Sequence, residues 1–231
     1  MTSINGAVAL VTGGQRGLGK AFVDELLAAG AAKVYATARK PVDADDPRVV
    51  PLALDVTDPA SIAALAAQVG DVTIVINNAG TTVPASLLTA TVDELNEVFA
   101  TNVYGVVGVT QAVAPALARN GGGALVNIAS VLSWVAGSSV YGASKAALWS
   151  VTNSLRLELA GQGTQVVGVH LGYTDTDMIR ALDVPKNDPH QVARDTLAAV
   201  ERGETEVLAD EISHAVKAKL SGPVEELAFG R

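Results

Sequence analysis

Tyr141 and Lys145 stand four residues apart, the spacing that stacks two side chains on one face of a helix. A free phenol, with a pKa near ~10, transfers protons poorly at neutral pH. An ammonium beside it favours the phenolate and lowers that value, so the pair could protonate a developing alkoxide or deprotonate an alcohol. A second stretch with chemical capacity is Thr12-Gly13-Gly14-Gln15-Arg16-Gly17-Leu18-Gly19. Glycines there let the backbone turn tightly and approach a pyrophosphate, whose charge a following helix N-terminus meets. Gly14 to Lys20 also spells G-x-x-x-x-G-K, but Ala21 stands where a P-loop needs Ser or Thr to hold magnesium. His170, His190 and His214 lie far apart and there is no cysteine, so no metal site is expected.

Positioning these residues requires an alternating frame. Ala7–Val11, Lys33–Thr37, Val49–Leu54, Val72–Ile76, Ala124–Ile128, Gln165–His170 and Glu206–Leu208 read as strands, several apolar throughout, as parallel strands covered on both faces are. Between them Gly17–Ala29, Pro59–Val69, Val92–Ala118 (as two helices), Val140–Leu159 and His190–Arg202 read as helices. Gly30 sits where a helix C′ glycine belongs, and Asp58-Pro59 reads as an N-cap followed by proline at N1. The alternation predicts an α/β fold: a doubly wound parallel sheet of about seven strands, helices on both faces, in one domain. Pro51 lacks a ladder donor, which places the third strand at an edge, as in the order 3-2-1-4-5-6. The glycine turn then directly follows the first strand and opens a helix, the setting in which such a motif binds dinucleotides.

Composition narrows the partners. Hydrophobic residues make up 49% and charged residues 17% of the 231 residues, enough to bury a sizeable core. The formal net charge is −8 with no Lys/Arg cluster, so no nucleic acid is expected. Met1-Thr-Ser-Ile-Asn carries neither a basic nor an apolar leader region. Val98–Ala118 is uncharged over the length of a membrane span, yet includes Thr101, Asn102, Thr110, Gln111 and Pro115, so a buried soluble helix is expected and no membrane partner. The absence of cysteine fits a reducing, cytoplasmic setting.

The spacing Thr-Gly-x-x-x-Gly-x-Gly is followed in order by Asn77-Asn78-Ala79-Gly80, Asn102 and Tyr141-Gly-Ala-Ser-Lys145. With these motifs the chain resembles the short-chain dehydrogenase/reductase family, classical type. The resemblance implies hydride transfer between a nicotinamide cofactor and a carbonyl or alcohol carbon, with Ser130, Tyr141, Lys145 and Asn102 as the catalytic set. Ser130 would bond the reacting oxygen and Asn102 would hold a water near the lysine. Ser130 and Tyr141 are closer in sequence than is usual in the family, with Ser133 as a fallback, and the deficit is expected in the loop over Ser133–Ser139. Leu171-Gly172 replaces the usual Pro-Gly, while Tyr173 to Met178 retains Gly-x-x-x-Thr-x-Met.

For the cofactor, NAD sites place an acid at the end of the second strand. Here Ala38 takes that place and Arg39 follows, with Arg16 in the glycine turn, so NADP(H) is expected. Gly13, Gln15, Arg16, Gly17, Leu18 and Gly19 would cradle it, Asp55 and Val56 flank the adenine, and Asn78, Ala79 and Gly80 line the ribose side. Thr174 and Thr176 would meet the carboxamide. Thr81, Leu132, Ser133, Trp134, Val135, Tyr173, Met178 and Ile179 are expected to wall a site for a small neutral carbonyl or alcohol under a short lid at 177–190. The uncharged helix over Val98–Ala118 implies cover on all sides, and the family resemblance implies a homodimer, possibly a homotetramer. The alternative is a cofactor-binding sensor or scaffold without turnover.

Overall fold

The computed structural model describes residues 1–228. Short apolar segments form seven parallel strands: β1 Val8–Val11, β2 Lys33–Ala38, β3 Val49–Ala53, β4 Ile74–Asn77, β5 Ala124–Ile128, β6 Gln165–His170 and β7 Glu206–Leu208. They lie in the order β3-β2-β1-β4-β5-β6-β7, so Pro51 is on an edge strand as its missing N–H requires. The order reverses direction between β1 and β4, which opens a crevice beyond the carboxyl ends of these strands.

The helices are α1 Gly17–Ala28, α2 Pro59–Ala66, α3 Val92–Phe99, α4 Gly105–Arg119, α5 Ser139–Glu158, α6 Pro189–Arg202 and α7 Glu211–Ala218. Alternate strand residues serve opposite faces. Ile74, Ile76, Val126 and Val169 pack with Phe22, Leu26 and Leu197 from α1 and α6, while Val75 and Leu125 pack with Leu65, Val113 and Leu117 from α2 and α4. Asp58 caps α2 through Ala60 N with Pro59 behind it, and Gly30 ends α1 at a φ of +89°.

Two elements differ from expectation. Val92–Ala118 forms two α-helices, but they join through a π-helical turn at Ala100–Tyr104 and not through a break. Gly105 begins α4 where a Cβ would come within 2.8 Å of Val56 O, so the helix passes hard against the loop after β3. The second is α7, which the hydrophobic pattern did not indicate.

Candidate active site

The carboxyl ends of β1 and β4 are stitched together by Thr12. Its buried Oγ1 accepts hydrogen bonds from Asn78 N and Ala79 N, each 2.9 Å, and Asn78 Nδ2 donates back to Thr12 O at 2.9 Å. Asn78 thus shapes the turn directly. Gly13 and Gly17 adopt φ of +64° and +51°, and a Cβ on Gly19 would collide with the Gly13 carbonyl and stand 2.6 Å from Asn78 Nδ2. Leu18 points into the core beneath, so only its backbone faces the crevice. Arg16 caps α1 without a side-chain bond, and the first turn has no acid. The leading amides of α1 therefore face the crevice without an internal acceptor, the arrangement that receives a pyrophosphate. The residues present fit a dinucleotide.

Arg16 and Arg39 are both exposed, and among the described residues neither forms an ion pair. Gln15 joins the glycine turn to the segment after β2, donating to Val42 O at 2.7 Å and accepting from Val42 N at 2.9 Å. Its amide is thus engaged with backbone. One strand further, Asp55 Oδ1 accepts from Thr57 N and Oγ1, bonds that hold its carboxyl below the usual range. Val56 beside it backs onto Gly105.

The proton-handling groups converge across the crevice. Tyr141 and Lys145 lie on α5, with Lys145 Nζ 5.5 Å from the centre of the phenol ring. Nζ donates to Ile128 O at 2.7 Å, and burial brings the ammonium down to about 8. Burial also pushes the phenol up to about 12, opposed by its hydrogen bond with Ser130. Ser130 follows β5, and its Oγ is fixed by Leu132 N at 3.1 Å. Ser133 Oγ, the fallback, is buried with no hydrogen-bond partner. The short Ser130–Tyr141 spacing is taken up by a 3-10 turn at Val131–Ser133, after which Ser138 Oγ donates to Val135 O and Ser139 holds a φ of +54°.

Asn102 lies fully buried in the π-helical turn. Its Oδ1 accepts from Thr81 N, and its Nδ2 donates to Thr81 O and Ser144 Oγ, all at 2.9 Å. Ser144 Oγ donates in turn to Tyr141 O at 2.7 Å. The Asn102 side chain therefore ties the loop after β4 to the start of α5. A Cβ on Gly80 would meet Asn102 Oδ1 at 3.4 Å and Lys145 Nζ at 3.9 Å, so Gly80, Asn102 and Lys145 meet at one point in space.

The lid rests on the same crevice. Thr176 lies over the glycine turn, 3.3 Å from where a Gly17 Cβ would be, and Thr174 is buried with Oγ1 directed to Gly172 O. Asn187 pairs with Tyr173 and Asp175 through backbone bonds, and its Nδ2 donates to Asp210 Oδ2 at 2.6 Å. Asp210 also accepts from Gly172 N and, as the N-cap of α7, from Ser213 N.

The expected substrate wall divides. Tyr173 and Met178 are exposed at the lid, and Thr81 and Leu132 are half-buried. Trp134 and Val135 instead sit in a small core with Val131, Trp149, Leu208 and Val216, because Trp134 stacks at 3.9 Å on the buried His170 ring. Ser144, His170 and Asp210 were not expected at the site, and Thr12 was expected only as the first residue of the glycine turn, without a role of its own. Their signal, a polar residue at a strand end or inside an uncharged helix, is legible only once the fold is known. Among the described residues no cluster of metal-ligating side chains occurs.

Residues 7–187 match the family model described as short chain dehydrogenase. The chain is 38% identical over 192 residues to the 3-oxoacyl-[acyl-carrier-protein] reductase FabG of Salmonella typhimurium, covering 78% of each. Its fold is similar to a short chain dehydrogenase of Burkholderia cenocepacia in complex with NADP, at 36% identity, 97% coverage of each chain and a TM-score of 0.91. A short-chain dehydrogenase of Sphingobium yanoikuyae in complex with NADPH is similar at 26% identity and a TM-score of 0.82, covering 96% of this chain and 94% of that one. Matched over most of its length by motif, relative and fold alike, the chain belongs to the short-chain dehydrogenase family.

Proposed function

We propose that this oxidoreductase transfers a hydride between NADP(H) and a neutral ketone, aldehyde or secondary alcohol. The observation that carries the reading is the convergence of Ser130, Tyr141 and Lys145 across the crevice from the glycine turn. When bound, the nicotinamide supplies or accepts the hydride. Ser130 hydrogen-bonds the substrate oxygen and polarises the carbonyl. Tyr141, kept protonated at neutral pH by burial, gives its proton to that oxygen as charge develops there. The Lys145 ammonium stabilises the phenolate left behind. A phenol that rests protonated suits the reductive direction.

Arg16 and Arg39, exposed at the adenosine end with Ala38 in place of an acid, support the phosphorylated cofactor, as does the Burkholderia relative's complex with NADP. The 3-oxoacyl group for which the Salmonella relative is named is itself a ketone, so 3-oxoacyl thioesters belong among the compounds tried. The absence of cysteine supports a cytoplasmic setting, and among the described residues no helix is long and apolar enough to cross a membrane.

Oxidation of NADPH across a panel of ketones, aldehydes and 3-oxoacyl thioesters tests the reading. Turnover should be lost by a factor on the order of 10² to 10⁴ in Tyr141→Phe, with thermal protection by NADPH retained. Protection by NADPH without turnover on any panel member would leave a sensor or scaffold instead. Protection by Mg-ATP alone would reject the nucleotide assignment.

A further inference from the structure

We propose that His170 is a positioning residue for Ser130, acting through the Ser130 carbonyl; the inference rests on the catalytic reading above. His170 ends β6 and is 1% exposed. Its Nδ1 lies 3.1 Å from Ser130 O. A carbonyl can only accept, so Nδ1 carries the hydrogen and the neutral ring leaves Nε2 bare. Nε2 faces Glu206 Oε1 at 3.8 Å, beyond hydrogen-bond reach, and that carboxylate is already bonded to Lys217 Nζ at 2.7 Å. The bond to Ser130 O thus selects the Nδ1–H tautomer, against the weaker pull of the more distant Glu206 carboxylate on Nε2. The ring is fixed in place by its stack on Trp134, which Trp149 braces edge-on at 6.0 Å and Lys217 covers at 4.9 Å.

Ser130 needs such a support. Ala129 N bonds Val169 O and Val131 N bonds Leu171 O, which ties the amide side of the Ser130–Val131 peptide to β6, and among the described residues its oxygen accepts from Ser133 N, at 3.0 Å, and from His170. A tilt of the Ser130–Val131 peptide about its Val131 N–H bond would displace Val131 and with it the following N–H, Leu132 N, relative to Ser130 Oγ, and so shift the hydroxyl that meets the substrate. Loss of the imidazole donor leaves the carbonyl satisfied by Ser133 N, so the effect should fall on geometry more than on folding. His170 touches no reacting atom and its titration is not required: burial holds it down to about 4, against the pull of the Ser130 carbonyl and Glu206 and aided by Lys217 and Lys145.

His170→Phe keeps the stack and removes the donor, His170→Asn returns an N–H near the Nδ1 position, and His170→Gln places it near Nε2. In the full chain His170→Phe and His170→Gln should lower kcat by about tenfold or more, with KM and the NADPH Kd unchanged within about twofold, and His170→Asn should recover most of the loss. In a Ser130→Ala background the Phe substitution should change kcat by less than about twofold, because its route of action is gone. Equal losses in both backgrounds, an unchanged kcat in His170→Phe, or equivalence of Asn and Gln would overturn the proposal. Long-range ¹⁵N NMR of the three histidines reads the tautomer without turnover: His170 should carry its hydrogen on Nδ1, and an Nε2–H ring would overturn the proposal even where no substrate is found. Absence of turnover in the unmodified chain would count against the catalytic reading and not against this bond.

Discussion

Lys145 gives up stability for chemistry. Its folded-state value of about 8 lies below the unfolded value of 10.5, so between these limits the unfolded chain binds the extra proton and stability rises with pH. Below about 8 the full penalty is present, on the order of 3 kcal/mol before the bond to Ile128 O is counted. Lys145→Met should therefore be inactive yet melt a few degrees higher than the unmodified chain at pH 7, with the gap closing as pH rises toward 10.5. A lower Tm at pH 7 would show that the ammonium is stabilised by contacts stronger than burial. At the other end of the crevice Arg39 is proposed to meet the 2′-phosphate; Arg39→Ala would then remove one charge-assisted contact of about 1.5–3 kcal/mol, and the NADPH Kd should rise roughly 10- to 100-fold while the NADH Kd stays level. Parallel weakening of both cofactors would place Arg39 away from the 2′-phosphate. Lys145 and Arg39 stood out in the sequence because acid–base chemistry and phosphate binding demand particular side chains at set spacings. His170 and Asp210 were not, since a histidine or aspartate at a strand end has many uses and only packing selects one.

At the scale of elements the strands were legible for a plain reason: a strand covered on both faces must be apolar throughout, and β1, β4 and β5 are nearly so. The π-helical turn was not, because Val92–Ala118 is continuously helical in pattern and the extra residue per turn leaves no compositional mark. It matters, since it is what delivers Asn102 to Thr81 and Ser144. Helix α7 escaped notice because it spans only eight residues and its fully buried position is the polar Ser213, while Ile212 is exposed. Its N-cap is nevertheless the clamp of the lid. Burial alone would raise the Asp210 carboxyl, but the Gly172 and Ser213 N–H groups outweigh it and hold the group below the usual range. That stabilisation is complete above the unfolded value of 3.8 and is lost as pH falls through the lower folded value. Asp210→Ala should cost about 1–3 kcal/mol and speed hydrogen exchange over residues 173–188, with exchange near Tyr141 unaltered. Unchanged lid exchange would mean that the backbone pairing of Asn187 suffices alone.

The whole molecule leaves two adjoining helices incompletely covered. Tyr104, at 65% exposure, precedes α4, whose outward residues include Gln111, Pro115 and Ala118; on α5 the exposed positions are Ser150, Ser154 and Leu157, the last at 80%. Apart from the buried Lys145, charge appears only toward the far ends, at Arg119, Arg156 and Glu158. A solvated helix face normally carries charge along its length, so these stripes read as surfaces made to meet their own copies, and a two-fold pairing of α4 and α5 would bury both at once. We therefore expect a homodimer, seen by light scattering at twice the 23.5 kDa of one chain. Leu157→Arg, which sets like charges across the axis, should shift the mass to that of a monomer at micromolar concentration while the chain keeps its Tm-derived cofactor protection. Salt gives the sharper discrimination. Each protomer carries a formal charge of −8, so association brings like charge together, and an interface without ion pairs gains when that repulsion is screened. The dimer should tighten between low and physiological ionic strength. Weakening with salt would mean that the contact is ionic and lies on some other face.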